Sequence, residues 1–200
     1  MANISNDSLV LQLASVVLPR GGYVSTPRLD LHATSFTVAT KVFLDSTANR
    51  NILLGNWSSN QNAWQLLFAV NAGGLTAISL RKDLPTNGSD PTQDLVALVG
   101  TLPVVAKQWH HVAITFDWGS NYISPTATLY VNGKVAGAVS PQIKPDPRVH
   151  NPYTLKPSPN AYLIGRKEDG TGNDEWFSGQ LGDFRIYTTA LTANDITQLL

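Results

Sequence analysis

The sequence predicts an all-β sandwich, and three observations carry that prediction. Thr, Val, Gly, Pro and Asn are plentiful, while Glu occurs only as Glu168 and Glu175 against twelve Asp. That balance favours strands and turns over helices. Short runs of alternating apolar residues recur along the whole chain. Between two of them stands Asn132-Gly133. Asn-Gly is the strongest short-range hairpin signal, because both central positions need positive φ.

The elements follow in order. The stretch MANISNDSLVLQLASVVLPRGG carries only Asp7 as a charge before its apolar part, which Gln12 and Ser15 interrupt. It lacks the basic start and unbroken apolar run of a secretory signal and reads as a strand pair. Phe36 to Phe43 alternates, with Phe36, Val38, Thr40 and Val42 on one face and Thr37, Ala39, Lys41 and Phe43 on the other. Trp64–Val70 and Leu75–Leu80 flank Asn71-Ala72-Gly73-Gly74 and predict a hairpin. Ala127–Val131 and Lys134–Gly137 predict a second one across Asn132-Gly133. Trp109–Phe116 reads as a long buried strand whose Trp109 caps the core. Tyr162–Gly165 and Phe184–Tyr187 are later strands. One helix is predicted, at the end, where Thr192 and Asp195 form a capping box. Its expected task is to cover an edge or end of the sandwich. Pro141, Pro145, Pro147, Pro152, Pro157 and Pro159 exclude a helix or central strand from that stretch, which reads as a surface loop.

Composition bounds the function. The 200 residues suit a single domain, 1–200. Lys+Arg is 14 and Asp+Glu is 14. A neutral chain lacks the basic excess of a nucleic-acid binder and the pull toward an anionic membrane. No run approaches the roughly 20 apolar residues of a membrane span. The expectation is a soluble chain, cytoplasmic or released by a non-classical route. Absent cysteine removes disulfides, thiol catalysis and Cys-type zinc sites.

Three segments carry a family resemblance. One is Trp109-His110-His111-Val112-Ala113-Ile114-Thr115-Phe116-Asp117 followed by Thr128-Leu129-Tyr130-Val131-Asn132-Gly133. The second is Tyr162-Leu163-Ile164-Gly165-Arg166, with Phe177-Ser178-Gly179 downstream. The third is Gly179 to Tyr187 followed by Ala190-Leu191-Thr192. In this order and spacing the sequence resembles the laminin-G-like branch of the concanavalin A-like lectins and glucanases. The resemblance implies a jelly-roll β-sandwich of two antiparallel sheets with a short C-terminal helix. It implies fold more firmly than function.

Catalysis finds little support in the residues. The glucanase branch uses paired carboxylates on one strand, where alternate residues share a face. Glu168 and Glu175 instead fall in the loop GRKEDGTGNDEW. His110 and His111 are strand neighbours and must face opposite ways, so they cannot share a metal. No Gly-x-Ser-x-Gly elbow, P-loop or dinucleotide fingerprint occurs.

Sugar binding needs aromatic faces and planar polar groups. Turn-rich segments supply both, in Trp57, Trp118 with Asn121, and Trp176 with Asp174. These five residues are the expected ligand site. The family resemblance adds calcium, with Asp183 at the position that often holds it and Asp30 as a second ligand, although Gly182 replaces a residue that is often acidic. The expected function is a non-catalytic, lectin-like module for a glycan or glycoconjugate, with calcium in a structural or bridging role and no catalytic residues. Its shallow contacts would give roughly 4–8 kcal/mol per site, and a homo-oligomer would add avidity. The alternatives are a structural or adhesive module without a sugar site and, ranked below both, a glycoside hydrolase.

Overall fold

The computed structural model describes residues 8–57, 64–81, 94–120, 125–139, 160–167 and 175–200, with backbone alone at 94 and 95. In chain order the first strands are β1 (Leu9–Leu18), β2 (Val24–Ser25), β3 (Phe36–Leu44), β4 (Asn51–Gly55) and β5 (Gln65–Val70). Then come β6 (Leu75–Arg81), β7 (Asp94–Pro103), β8 (Trp109–Asp117), β9 (Thr126–Val131) and β10 (Lys134–Val139). The last are β11 (Leu163–Ile164), β12 (Arg166–Lys167), β13 (Glu175–Trp176) and β14 (Gly179–Tyr187), followed by helix α1 (Ala193–Gln198).

One six-stranded sheet runs β1-β14-β3-β8-β9-β10 and the other runs β2-β11-β4-β5-β6-β7. A small ribbon, β12-β13, accompanies them. Neighbours pair antiparallel throughout the two main sheets. This is the two-sheet jelly-roll architecture the sequence predicts.

Alternation builds the core. Phe36, Val38, Val42 and Leu44 of β3 meet Leu66, Phe68 and Val70 of β5 in one apolar cluster between the sheets. Each such side chain contributes about 1.5–3 kcal/mol by leaving water. Trp64, Phe116, Trp118 and Phe36 join at one place, with ring centroids 5.0–6.2 Å apart. Strand β5 is buried on both faces, because Leu67 and Ala69 pack with Ile52 and Trp57 on its far side.

Both predicted hairpins form. Asn132 and Gly133 have φ of 50° and 73°, as the tight turn requires. The Asn132 side chain also accepts the His111 N–H at 2.9 Å, tying this turn to β8. The expected N-terminal strand pair is instead one long strand, β1, which pairs with β14, followed by the short β2 in the opposite sheet. The proline-rich stretch 140–159 lies outside the described residues.

One expectation is refined and one is corrected. The helix forms with its capping box, Thr192 and Asp195 each satisfying the other's backbone N–H. Its apolar side rests mainly on a sheet face, and only its end, at Thr197 and Leu200, reaches the β9–β10 turn. Leu191, Ile196 and Leu199 pack on Ala39, Ala113, Tyr130 and Tyr187, on the outer face of the first sheet. Ala39 and Ala113 are paired neighbours, and their small size makes the seat. Trp109 does not cap the core. It is 49% exposed on that same outer face, packed against Phe43 with ring centroids 5.7 Å apart.

A bulge interrupts β14. Leu181 and Phe184 both face the core, so the register shifts between Gly182 and Arg185, and Asp183 takes φ 48°. At the start of β14, Gly179 has φ 144°, and a Cβ there would fall on the Phe43 carbonyl oxygen. Backbone conformation and space both demand glycine at this position. Gly179→Ala should therefore lower unfolding free energy by about 3 kcal/mol in urea titrations. Wild-type stability in that variant would show that the close approach is not needed.

Candidate functional site

A cavity of about 330 Å³ opens at one end of the sandwich, with Arg20, Arg50, Glu175 and Trp176 around it. Three distant pieces of chain supply it: the turn after β1, the β3–β4 connection with the start of β4, and the segment from β13 into β14. Asn51 holds these pieces together. Its side-chain amide donates to the carbonyls of Ser46 and Asn49 at 3.0 and 3.1 Å, and its Oδ1 accepts the Ser178 N–H at 3.2 Å. Ser46, Asn49, Asn51 and Ser178 complete the lining. Phe177 is fully buried between Trp176 and Ser178, and its N–H donates to Gly165. That buried residue anchors the segment whose neighbours reach the cavity.

Cations surround Glu175. Glu175 Oε2 lies 3.4 Å from Arg50 Nη1 and 3.4 Å from Lys167 Nζ. The Arg50 Nε is buried without a hydrogen-bond partner. Arg166 lies over the Trp176 ring at 4.4 Å and over Tyr23 at 5.1 Å. This cation–π contact fixes the indole at the rim. Beyond Ser178, its hydroxyl donates to Asp45 Oδ2 at 2.9 Å and Lys107 Nζ meets Asp45 Oδ1 at 2.9 Å. The Lys107 and Ser178 hydrogen bonds hold the Asp45 carboxyl below its usual range.

A model of the laminin G 3 family, described as the concanavalin A-like lectin/glucanases superfamily, matches residues 19–197. The chain belongs to this superfamily. None of the curated proteins matches it. Solved structures share the superfamily's sandwich at low identity. The CBM40 of the Ruminococcus gnavus IT-sialidase bound to alpha2,3 sialyllactose has a TM-score of 0.73 at 14% identity, over 96% of this chain and 98% of that one. Leech intramolecular trans-sialidase gives 0.69 at 17%, over 96% and 28%. Domain 4 of a GH43 extracellular arabinanase from Geobacillus stearothermophilus, in complex with arabinotriose, gives 0.55 at 19%, over 92% and 71%.

The residues expected to bind ligand in this concanavalin A-like sandwich part company. Trp176 lines the cavity. Trp57 sits on the outer side of the second sheet with the Arg81 guanidinium 4.2 Å above its ring. Trp118 is corrected: it is 2% exposed and packed edge-on against Phe116, so no ring face is open to a sugar. Asn121 and Asp174 lie outside the described residues. Arg20, Arg50, Asn51 and Ser178 were not anticipated. The Asn- and Ser-rich stretch 46–51 was the available signal, but nothing local joined it to Glu175 and Trp176.

Asp183 and Asp30, the expected calcium ligands, each meet an arginine in the structure. Calcium wants six to eight oxygens. Asp183 Oδ1 instead accepts Arg185 Nε at 2.7 Å and Gln12 Nε2 at 3.3 Å. Asp30 is exposed beside Arg28, 3.7 Å away. Among the described residues no group of three or more His, Cys, Asp or Glu could hold a metal ion. No helix there is long and apolar enough to cross a membrane.

His110 and His111 face opposite ways, as expected. His110 Nε2 accepts the Val105 N–H at 3.1 Å, and burial lowers its pKa. His111 faces outward from β8, beside its β3 partner Lys41. Burial, then Lys41, push its pKa down to about 4; Asp183 opposes this and Arg185 adds to it. The unfolded chain, with an ordinary histidine near 6.5, binds more protons between pH 6.5 and 4. Stability from the neutral ring is therefore complete above 6.5 and declines as pH falls toward 4, by about 3 kcal/mol in total. His111→Leu should flatten that part of a stability-versus-pH curve measured by urea unfolding. Equal slopes in variant and wild type would assign the acid loss elsewhere.

Proposed function

We propose that this chain is a non-catalytic carbohydrate-binding module that takes a glycan at the cavity beside Trp176. The observation that carries the reading is a rim indole, held by Arg166, next to convergent polar groups on a preformed wall. Sugars need both parts. An aromatic face receives their C–H surface, and planar amides, carboxylates and guanidinium groups take their hydroxyls. Asn51 is locked by three hydrogen bonds, so little ordering entropy is lost on binding. Neighbouring folds solved with sialyllactose and arabinotriose support the reading.

The charge pattern speaks against hydrolysis. A glycosidase of the usual kind needs two carboxyl groups about 5–10 Å apart across the bond. The described residues of this cavity supply Glu175 alone, and it is paired with Arg50 and Lys167. Arg50 and Arg20 favour glycans that carry a negative group. Calcium is not part of the proposal: Asp183 bonds Arg185, and Asp30 stands exposed beside Arg28.

A glycan array, run with and without EDTA, tests the reading. Binding should survive EDTA. Trp176→Ala should weaken it about tenfold, the share expected of one aromatic contact of 0.5–1.5 kcal/mol. Glu175→Gln should change selectivity while leaving no hydrolytic activity to lose. An array with no bound sugar would favour the adhesive alternative.

A further inference from the structure

We propose that Trp109 forms a second sugar-stacking subsite, continuous with the cavity around the rim, so that the ligand is an extended oligosaccharide rather than one terminal sugar. The proposal rests on the glycan reading above and adds to it the length of the ligand.

The lie of the indole is the main observation. Trp109 belongs to β8 and pairs with Phe43 of β3. Its Cζ3 and Cη2 atoms lie 3.6 and 3.7 Å from the point where a Cβ on Gly182 would stand. Gly182 belongs to β14, two strands away from β8. Strands are spaced about 4.8 Å apart, so a side chain that starts on β8 and reaches β14 must lie along the sheet surface. The indole thus reaches across the sheet surface toward β14 while the residue stays 49% exposed. Gly182 supplies the floor. Its φ is not positive, so its contribution is space: a Cβ there would just touch the ring, and a larger side chain would lift it.

The surroundings suit a sugar. Lys41 and Gln180 stand on the same face beside the indole, and offer the donors and acceptor that ring hydroxyls need. Val17, 67% exposed and paired with Gln180, extends the apolar side. A contact path leads from here to the cavity. Ser178 of the cavity wall bonds Asp45, Asp45 bonds Lys107, and Lys107 lies over the Phe43 ring at 6.0 Å. Phe43 in turn packs on Trp109. A chain of sugars leaving the cavity past Ser178 meets a charged pair and then an open indole.

The test is titration calorimetry on the full chain with sialylated glycans and arabinan oligomers, each from monosaccharide to hexasaccharide. In wild type, affinity should rise about tenfold once the ligand is long enough to reach Trp109. Trp109→Ala should remove that rise and leave the shortest bound ligand within twofold of wild type. Trp109→Phe should keep part of it. Gly182→Leu, which displaces the ring without removing it, should act like Trp109→Ala, with melting temperature confirming a folded chain. Trp176→Ala should weaken every length alike. If Trp109→Ala matches wild type at all lengths while Trp176→Ala weakens them all, the extension is wrong and the cavity reading stands. If no glycan binds, both are wrong.

Discussion

The burial of one face of β3 is the constraint on which the rest depends. Side chains alternate along a strand, so sending Phe36, Val38, Val42 and Leu44 inward sends Thr37, Ala39, Lys41 and Phe43 outward. A slip of one residue would exchange the two sets. Each outward residue then has a task that its register assigns. Thr37 Oγ1 donates to the Thr189 carbonyl at 2.8 Å and accepts the Leu191 N–H at 2.9 Å, which aims the chain into α1. Ala39 leaves room for that helix. Phe43 supports Trp109, and beyond Leu44 the chain leaves the sheet as the wall of the cavity. Core and site are therefore coupled through a single strand.

Local chemistry was legible in the sequence where it is decided locally. The Asn132-Gly133 turn, the Thr192–Asp195 cap and the alternation of β3 each depend on neighbours a few residues apart, and all three form as read. The tryptophans depend on what lies across the fold. Trp118 has polar company in sequence, yet its ring turns inward to Phe116 and Trp64. Trp109 heads an apolar run, yet the pleat turns it outward. Parity along β8 contained that answer, because Val112, Ile114 and Phe116 face the core. The cavity was the least legible feature, since residues near 20, 50 and 176 meet only when both sheets have closed.

Strand geometry explains how Asp183, the residue expected to hold calcium, is engaged in the structure. Asp183 and Arg185 are two positions apart, and the bulge at Gly182 brings their side chains together at 2.7 Å. A carboxylate bound by a guanidinium gives up strong charge-assisted hydrogen bonds if it turns to a metal. The same bulge leaves Gly182 beneath the Trp109 indole. One local irregularity thus commits an acidic group and clears a place for an aromatic one.

The two aromatic positions are held by different physics, and that difference bears on how they could work together. Trp176 is fixed by the Arg166 cation on its ring, so its hold is partly electrostatic and embedded among other charges. Trp109 is fixed by shape, lying over Gly182 and against Phe43. Salt screens the first kind of contact more than the second. A ring immobilised before binding costs little further entropy when a sugar settles on it. Two such rings joined by one ligand raise affinity through effective concentration, even when each contact alone is weak. A chain with only 14% charged residues has little long-range charge to draw a ligand in, so affinity gained by that route would weigh the more.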